Sequence, residues 1–539
     1  MEIKELSASL LGGMAGDYLQ QKEGSVSFFD YPLSEDVFQK RAKDLQGRSY
    51  PRRELVFCLL DYNEKLGAGA KTIENIRALA DEDTLVVVAG QQAGILTGPL
   101  YTIHKIVSII QLAKEQEQKL GVRVIPVFWI AGEDHDIDEI NHVHIMKNGK
   151  IKKAILPQEH IKKMSASQTA LDYDLCLAWV ENVFKTFPET NHTNAILRFV
   201  KECLARSGTY TDFFAYIITG LFKEEGLVLV DSDSQQLRKC EAPFFQQLLQ
   251  QHTHIQQALA VQQEALRQTG YQPIITTKPS SIHLFVHIDG ERWLLEKNGD
   301  WLVCKDGEYR FTYEQLLQIA EETPERLSNN VVTRPLMQEY LFPTLAFIGG
   351  PGEVAYWGEL REVFRQMDFI MPPVVPRLMI SYLERNIETD LQDLHITEEE
   401  VFTERFSLLR EKWLAGHGAE SIKESFTAAH VELERIHAQL RELAERVNPT
   451  LAQFAGKNKR KLEEQLQILE RAIEKDIERK HAAELEKFNR IESSLRPIGL
   501  LQERVWNIFY YLNKYGFDFI VQLLELPFSR NASHKVVKL

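Results

Sequence analysis

Residues 85–105, LVVVAGQQAGILTGPLYTIHK, join a short run of apolar β-formers to a glycine-rich loop and then to a segment with helical periodicity. Four further short apolar runs lie at 122–130, 226–231, 344–348 and 373–377. Buried strands that do not alternate polar and apolar residues, and that are separated by helices, are typical of a parallel sheet covered on both faces. The sequence therefore predicts an α/β fold with a Rossmann-like parallel-sheet core.

Two long intervals between these strands leave room for inserted segments, one near residues 148–167 and one near 272–311. The second interval alternates apolar and polar residues around Asp289-Gly290 and Asn298-Gly299. Both dipeptides are typical of β-hairpin turns. We expect residues 1–388 to form the nucleotidyltransferase-type core together with these two inserts.

The composition shifts to helix formers from about residue 389. Apolar residues step by three and four along 433–447 and again along 462–473, which is the pattern of a coiled-coil seam. Asn448-Pro449 interrupts the pattern, so residues 389–495 are predicted to form a helical domain built on a long antiparallel coiled-coil hairpin. Because apolar seams are rarely left exposed, we expect a homodimer through this coiled coil, with recruitment of pathway partners as the open alternative.

The remaining segment, residues 496–539, is rich in aromatic residues and is expected to pack back on the core. The whole chain of 539 residues has a formal net charge of −14, which argues against a nucleic-acid partner because the phosphate backbone demands a basic surface. Its five cysteines are widely spaced and are expected to be reduced, buried thiols. The first residues lack the pattern of a signal peptide, and no apolar stretch is long enough to span a bilayer. We therefore expect a cytoplasmic protein with no membrane partner.

The glycine-rich loop after the first strand is the strongest candidate for a binding site. At the carboxyl end of a parallel strand, glycines let the backbone approach an anion, and the next helix N-terminus favours negative charge. His104 and Lys105 add donors one turn later and are predicted to be catalytic. The alternative is a structural crossover with a buried histidine. The predicted substrate-binding residues of this segment are Gly90, Gln91, Gln92, Gly98 and Tyr101.

The second candidate is the acidic run GEDHDIDE at residues 132–139. Clustered carboxylates raise one another's pKa and are costly unless they bind a cation or serve as a base. The cation would be a substrate ammonium or Mg²⁺. Zinc on a helical face of His135, Asp138 and His142 is not expected, because no cysteine or His-Glu-x-x-His pattern accompanies these residues. A purely structural alternative is an acidic helix start that complements the helix dipole. The predicted catalytic residues are Glu133, Asp134, His135 and Asp138.

The third candidate is GGPGEVAYW at residues 349–357, directly after the fourth strand. Its three glycines would let the backbone touch a ligand, while a turn that only seats the next helix is the structural alternative. After the fifth strand, Arg377 could neutralise a phosphate or a carboxylate. The predicted substrate-binding residues of these segments are Gly350, Glu353, Tyr356, Trp357, Arg377 and Ser381.

These glycine-rich segments, in this order, together with NVVTRP at 330–335 and LQER at 501–504, resemble the cysteine ligase family of bacillithiol biosynthesis. The resemblance spans essentially the whole chain. It implies a ligase that joins the carboxyl group of cysteine to the amine of glucosaminyl-malate in the last step of the pathway. It also implies a class I synthetase-like core, in which residues 102–105, TIHK, stand where the synthetases keep their HIGH signature. Nucleotide-dependent carboxyl activation by ATP, with ADP as a second bound form, follows from that likeness.

The resemblance also assigns roles to the candidate residues. His104 and Lys105 would stabilise charge on the activating group. The acidic run would bind the ammonium group or remove its proton. Arg334 and Arg377 would pair with the two carboxylates of the malate moiety. The residues expected to hold the sugar are Glu353, Tyr356 and Trp357.

A mixture of aromatic and basic residues near the C-terminus predicts a second pocket, for ADP or ATP. Trp506 and Tyr510 are four residues apart and so share a helical face. Such a face can stack a base while guanidinium groups hold the phosphates, a role predicted for Arg385 and Arg490. The alternative is that the aromatic residues pack in the core and the arginines pair with surface carboxylates.

Two other functions remain open at this point. The first is a tRNA-binding protein like the aminoacyl-tRNA synthetases, which the acidic charge disfavours. The second is a non-catalytic coiled-coil scaffold, which the density of polar groups at three strand ends disfavours. The activating cosubstrate, the choice between an adenylate and an acyl phosphate, the metal requirement and the general base also stay open.

Overall fold

The computed structural model describes residues 1–6, 10–160, 162–403, 405–531 and 533–539. The described chain forms two compact units. The first comprises Met1–Ser381 and Gln502–Val537, and the second comprises Tyr382–Leu501 and Lys538–Leu539. Within the described ranges, no helix combines the length and the hydropathy that crossing a bilayer would require.

The strands of the described chain are β1 (Glu2–Glu5), β2 (Leu85–Gln91), β3 (Val124–Ile130), β4 (His142–Lys147), β5 (Lys150–Ile155), β6 (Val228–Asp231), β7 (Ser281–Ile288), β8 (Glu291–Asn298), β9 (Trp301–Cys304), β10 (Tyr309–Phe311), β11 (Leu327–Asn329), β12 (Thr344–Gly349), β13 (Val374–Pro376), β14 (Ile380–Leu383) and β15 (Lys535–Lys538). A central sheet has the strand order β13-β12-β2-β3-β6, with every pair parallel. These are the five apolar runs identified in the sequence, so the predicted α/β class with a Rossmann-like sheet is confirmed.

The helices that precede residue 381 are α1 (Gly13–Leu19), α2 (Glu23–Val26), α3 (Val37–Leu45), α4 (Arg52–Leu66), α5 (Ala70–Ala78), α6 (Tyr101–Leu120), α7 (Ile137–Ile140), α8 (Tyr173–Phe184), α9 (Thr193–Ala205), α10 (Tyr210–Leu221), α11 (Gln235–Gln268), α12 (Tyr313–Glu322), α13 (Thr333–Leu341), α14 (Pro351–Trp357) and α15 (Arg361–Gln366). Those that follow are α16 (Arg385–Asp393), α17 (Glu398–Thr403), α18 (Phe406–Leu414), α19 (Glu420–Val447), α20 (Leu451–Lys480), α21 (Ala482–Leu495), α22 (Ile508–Tyr515) and α23 (Asp518–Glu525).

The core of the first unit surrounds the central sheet. Every residue of β3 is buried, as an internal strand of a parallel sheet requires. Val86 and Val88 of β2 belong to one large apolar cluster with Phe244 and Leu248 of α11. Burying a side chain of this size stabilises the fold by roughly 1.5–3 kcal/mol, so the sheet is a rigid base for the loops that follow its strands.

A second, antiparallel sheet has the order β10-β9-β8-β7-β11 and contains the predicted hairpins. Asp289 and Gly290 have φ angles of 53° and 80°, which fits the predicted turn between β7 and β8. The next turn is centred on Gly299 and Asp300, one residue later than predicted, because Asn298 still pairs with Trp301. Gly299 adopts the positive φ of 62° that this tight turn needs.

Other pairings were not predicted. β1, β15 and β14 form a three-stranded sheet, and β4 and β5 form a two-stranded hairpin. This hairpin begins at His142, whereas α7 ends at Ile140. The proposed helical face of His135, Asp138 and His142 is therefore wrong, because the chain leaves the helix after a single turn.

The second unit contains the predicted antiparallel hairpin of long helices, α19 and α20, with the break at residues 448–450. Glu434 forms an ion pair with Lys459, and His437 contacts Asn458 at 3.2 Å. These pairs run in opposite directions along the two helices, which establishes the antiparallel arrangement.

Much of the predicted apolar seam on α19 is exposed within the described chain. Ile436, Leu440, Leu443 and Val447 are 43%, 53%, 59% and 75% exposed. Packing between α19 and α20 therefore does not bury this seam. The residues that do lie between the two helices include His437, which is buried and contacts Asn458.

Candidate active site

A cavity of about 700 Å³ lies in the first unit, where β2, β3, β12 and β13 end. This is the edge at which parallel sheets bind ligands. The predicted site residues that line it are Gly90, Gln91, Gln92, Tyr101, Lys105, Asp134, Arg334, Gly350, Glu353, Tyr356, Trp357 and Arg377. Glu139, from the acidic run, and Arg504 also line it, although neither was named among the predicted site residues.

The glycine-rich loop after β2 is held in a tight turn that directs the start of α6. A Cβ atom on Gly94 would lie 2.8 Å from the Cα atom of Gly98, which itself has a φ of 68°. The side-chain amide of Asn507 donates to the carbonyl oxygens of Leu96 at 2.6 Å and Gly98 at 2.7 Å. Gly98 does not line the cavity, so its contribution is to the loop conformation and not to ligand contact.

Lys105 presents a buried ammonium group at the cavity. Its Nζ donates to the carbonyl oxygen of Gly90 at 2.6 Å and to Oε1 of Gln91 at 2.9 Å, and it pairs with Oε2 of Glu353 at 2.5 Å. Burial lowers the pKa of Lys105, although the Glu353 carboxylate opposes that shift. A cation fixed in this way needs little reorganisation to stabilise charge that develops on a bound carboxyl group.

The segment after β12 supplies the carboxylate that holds Lys105. Glu353 accepts a hydrogen bond from the Gly350 backbone N–H at 2.7 Å, and so it caps α14 as well. Burial raises the pKa of the Tyr356 phenol, which therefore stays protonated. Trp357 is only 1% exposed and stacks on Phe347 with ring centroids 4.3 Å apart. Its ring is therefore mainly part of the wall beneath the cavity.

Arg377 reaches the cavity from the end of β13 and is held by a buried carboxylate. Its Nη1 and Nη2 donate to the two carboxylate oxygens of Glu503 at 2.7 and 2.6 Å. Burial alone would raise the pKa of Glu503, but the Arg377 charge and hydrogen bonds from Arg377 and His104 hold that pKa well below its usual range. The ionised carboxylate fixes the orientation of the guanidinium group.

Two predicted residues lie behind this pair and not at the cavity. His104 is fully buried, and its Nδ1 lies 3.1 Å from Oε2 of Glu503. Burial lowers the pKa of His104, and the nearby Glu503 opposes the shift. Ser381 is also fully buried and lies 2.9 Å from Nε2 of His534. Neither side chain can touch a ligand in the cavity without a rearrangement.

Arg504 differs from the other cations at the cavity. Lys105, Arg334 and Arg377 each pair with a carboxylate. Arg504 is exposed and, in the part of the chain that the structure describes, forms no ion pair. Its guanidinium group is thus available to an anionic ligand.

The first residue of the acidic run, Glu133, is fully buried outside the cavity. Its carboxylate accepts hydrogen bonds from Arg238 at 2.6 Å, from Arg334 at 3.3 Å and from the Asn329 backbone at 3.2 Å. Burial would raise the pKa of Glu133, but Arg238, Arg334 and Arg292 together lower it. The pKa of Asp134 is also lowered, by Arg334 and Arg292 against the effect of burial. The pKa of both residues is therefore lowered overall, because the arginines supply the cationic charge that a cluster of carboxylates needs.

Asp134 and Glu139 carry the acidic run into the cavity. The side-chain amide of Gln92 donates to a carboxylate oxygen of each residue at 2.8 Å. One amide thus holds two carboxylates beside the cavity, where they could bind a ligand ammonium. In the described residues, no three histidine, cysteine or carboxylate groups are arranged to hold a metal ion.

His135 and Asp138 line a neighbouring cavity of about 670 Å³ instead of the main one. Nδ1 of His135 lies 3.4 Å from Nη1 of Arg292. Burial lowers the pKa of His135, and the Arg292 charge adds to that shift. The acidic run is thus divided among a buried network, the main cavity and this second space.

The residues of the predicted nucleotide pocket belong to different units. Trp506 and Tyr510 are in the first unit, with ring centroids 6.4 Å apart. Arg385 and Arg490 are in the second unit, where Arg490 donates to both carboxylate oxygens of Asp390 at 2.7 and 2.8 Å. That ion pair agrees with the alternative interpretation for Arg490, and the pocket itself stays a prediction.

The functional groups that the sequence did not reveal are chiefly the partners of the predicted ones. Glu503 and Arg504 lie within LQER, which carried the family resemblance but had no assigned role. Glu139 belongs to the acidic run, so the run itself was the signal for it. Arg238 lies in a helical segment and Arg292 in a strand. No local sequence pattern indicates that either one contacts the acidic run.

Comparison with known proteins agrees with this site and fold. The family model for the N-terminal Rossmann-like domain of the bacillithiol biosynthesis protein BshC matches residues 1–378, and the model for its C-terminal coiled-coil domain matches residues 380–539. Curated relatives named "Putative cysteine ligase BshC" from Bacillus cytotoxicus, Bacillus cereus and Bacillus thuringiensis subsp. konkukian are each 53% identical over 539 residues, covering all of both chains. The predicted family and the predicted enzyme class, a ligase, are confirmed. The chain therefore belongs to the BshC family of cysteine ligases in bacillithiol biosynthesis.

Proposed function

We propose that this chain joins the carboxyl group of cysteine to the amine of glucosaminyl-malate, as the last step of bacillithiol biosynthesis. The observation that carries the proposal is the set of charges around one cavity. Four cations line it, of which Arg504 has no carboxylate partner in the described chain, and two carboxylates are held there by Gln92. An acceptor with two carboxylates and one amine finds complementary charges in such a space.

The chemistry requires an activated carboxyl group and a neutral amine. Lys105 stabilises charge on the activated carboxyl of cysteine, and Arg377 with Arg504 binds the malate carboxylates. Asp134 and Glu139 hold the ammonium group, and one of them takes its proton before the nitrogen attacks the carbonyl carbon. The C–N bond forms as the activating group leaves. His104 and Glu503 act as positioning residues behind Arg377.

We propose ATP as the activating cosubstrate, with cytoplasmic turnover. The test incubates the full chain with cysteine, glucosaminyl-malate and each nucleotide in turn, and measures the amide product and released AMP or ADP by mass spectrometry. AMP with product indicates an adenylate, and ADP with product indicates an acyl phosphate. Absence of product with every nucleotide would contradict the proposed reaction. Mg²⁺ dependence is measured in the same assay by adding a chelator.

A matched pair of variants on α6 connects the reaction to the cavity. Lys105→Ala removes the buried ammonium and is expected to lower product formation by about 100-fold, the effect typical of losing one charge-stabilising donor. Lys119→Ala, which removes an exposed lysine of the same helix, is the control and should leave the rate unchanged. Equal rates for the two variants would argue against the assigned role of Lys105.

We also propose that the exposed seam of α19 makes the protein a homodimer. Leu440 and Leu443 are more than half exposed, and covering them would remove apolar surface from water. Sedimentation velocity should give a dimer for the unaltered chain and a monomer for Leu440→Glu combined with Leu443→Glu. Glu445→Gln, on the same helix, is the control and should stay dimeric. A monomer in the unaltered chain at micromolar concentration contradicts the proposal.

A further inference from the structure

Two of the five cysteines lie side by side in the first unit. Cys58 belongs to α4 and Cys240 to α11, and their Sγ atoms are 3.2 Å apart. Both residues are largely buried, with 8% and 7% of their surface exposed. Nothing in the proposed ligase chemistry uses either sulfur.

We propose that Cys58 and Cys240 form a reversible disulfide when a peroxide oxidises the reduced protein. The Cys58 sulfur attacks the peroxide, an S–O bond forms, the O–O bond breaks, and the first water leaves after protonation. The Cys240 sulfur then attacks the sulfenic sulfur, an S–S bond forms, the S–O bond breaks, and the hydroxyl group leaves as a second water after it takes the thiol proton. Two thiols and one hydrogen peroxide thus give one disulfide and two waters.

The surroundings favour Cys58 as the sulfur that reacts first. The hydrogen bond between the two thiols lowers the pKa of Cys58, and the same bond raises the pKa of Cys240. The thiolate is the reactive form, so the group with the lower pKa attacks the peroxide. Cys203 offers a contrast, because burial raises its pKa to about 12.

The disulfide has a consequence for the candidate site, and this consequence rests on the proposed function. Cys240 lies between Arg238 and Glu241, whose side chains are bonded at 2.7 Å, and Arg238 also holds Glu133 at 2.6 Å. A disulfide bond is about 2.05 Å long, so the sulfurs must approach by about 1 Å at this turn of α11. Through Glu133 the shift reaches Arg334 at the cavity. We expect the oxidised protein to form product several-fold more slowly, and a thiol reductant to restore the rate.

The test treats the folded full chain with hydrogen peroxide, denatures it, and alkylates it with N-ethylmaleimide. We expect three alkylated cysteines in place of five, a mass lower by about 2 Da before alkylation, and a peptide that links Cys58 to Cys240. Dithiothreitol should restore five alkylated cysteines. Retention of all five thiols, a link between other cysteines, or oxygen adducts without a link overturns the proposal.

Single-site variants separate this pair from the other thiols. Cys58→Ser and Cys240→Ser should each abolish the link and the reversible loss of rate. Cys203→Ser is the matched control and should retain both. If the reduced protein forms no product, the proposed function fails, while the mass measurement still decides whether the disulfide forms.

Discussion

Two acidic clusters follow neighbouring strands of the central sheet, and their carboxyl groups have opposite pKa shifts. After β3, the pKa values of Glu133 and Asp134 are lowered. At the end of β6, the pKa of Asp231 is raised to about 7, and the pKa of Asp233, two residues later, is raised as well. Burial raises the pKa of a carboxyl group in both places, so burial does not explain the difference.

The difference comes from the guanidinium groups within reach of each cluster. Glu133 is surrounded by Arg238, Arg334 and Arg292, whose charges outweigh the effect of burial. For Asp231, burial and the like charge of Asp233 dominate over a hydrogen bond from the Ser167 hydroxyl and the more distant Arg238. Carboxylates placed alike at strand ends can therefore differ in protonation at neutral pH, according to which arginines reach them.

Removing the arginine that contacts both clusters should have the largest effect. Arg238 lies 2.6 Å from Glu133, 2.7 Å from Glu241 and 3.6 Å from Asp233. Arg238→Met leaves the ionised Glu133 without its shortest ion pair and removes the hydrogen bond to Glu241, so we expect the free energy of unfolding to fall by about 3–5 kcal/mol. Urea unfolding at pH 8, followed by tryptophan fluorescence, measures the change.

The control for that prediction is Arg267→Met, which removes an arginine on the same helix whose side chain is 49% exposed. Its unfolding free energy should change by no more than about 0.5 kcal/mol. Equal urea midpoints for the two variants would show that the buried network contributes no more than a surface ion pair.

The second prediction concerns the pH dependence of the cluster after β6. The folded-state pKa of Asp231, about 7, lies above the unfolded value of about 3.9. The folded protein therefore binds more protons in this window, and the stability that protonation confers is lost as pH rises from about 4 through 7. Asp231→Asn, which mimics the protonated group, should be the more stable protein at pH 8 by roughly 2–4 kcal/mol, at 1.36 kcal/mol per pKa unit.

Urea unfolding at pH 5, 6, 7 and 8 tests this linkage. The difference between the unaltered protein and Asp231→Asn should grow with pH, whereas Asp83→Asn, at an exposed position, should follow the unaltered protein. Parallel curves for all three proteins would mean that Asp231 is ionised in the folded state across the whole range.

The smallest effect is expected for Arg504, which lines the main cavity and has no carboxylate partner in the described chain. Arg504→Ala removes a ligand contact but no ion pair, so the melting temperature should not change. The KM for glucosaminyl-malate should rise at least about 10-fold, because a hydrogen bond to a charged group contributes about 1.5 kcal/mol or more. Arg310→Ala, at another exposed site, is the control. An unchanged KM for Arg504→Ala would show that the malate carboxylates bind elsewhere.

Local sequence patterns were sufficient to predict the central sheet and the loops that carry the candidate site. Apolar runs closed by glycine located the five parallel strands, because burial on both faces leaves a continuous signal. The pairing of β1 with β15 joins the two ends of the chain, and no local pattern reports such a pairing. The same is true of Glu133 and Arg334, which are 201 residues apart in sequence.

His104 and Lys105 show that local sequence patterns do not predict which single side chains reach the cavity. The helical pattern placed both at the start of α6, but neighbouring residues on a helix point about 100° apart. Lys105 therefore lines the cavity while His104 packs against Glu503. Only the rotation of the helix about its axis, which tertiary packing sets, decides which of the two reaches a ligand.

The hydrogen bonds from Asn507 to the loop after β2 also have a consequence for synthesis on the ribosome. Asn507 follows Gly98 by 409 residues. At translation rates of about 5–20 residues per second, Asn507 is synthesised roughly 20–80 s after Gly98. During that time the strands of the central sheet can pair. The loop that positions Lys105, however, does not yet have its hydrogen bonds from Asn507. A polypeptide released before residue 507 would thus contain every strand of the parallel sheet and still lack the hydrogen bonds that hold this loop.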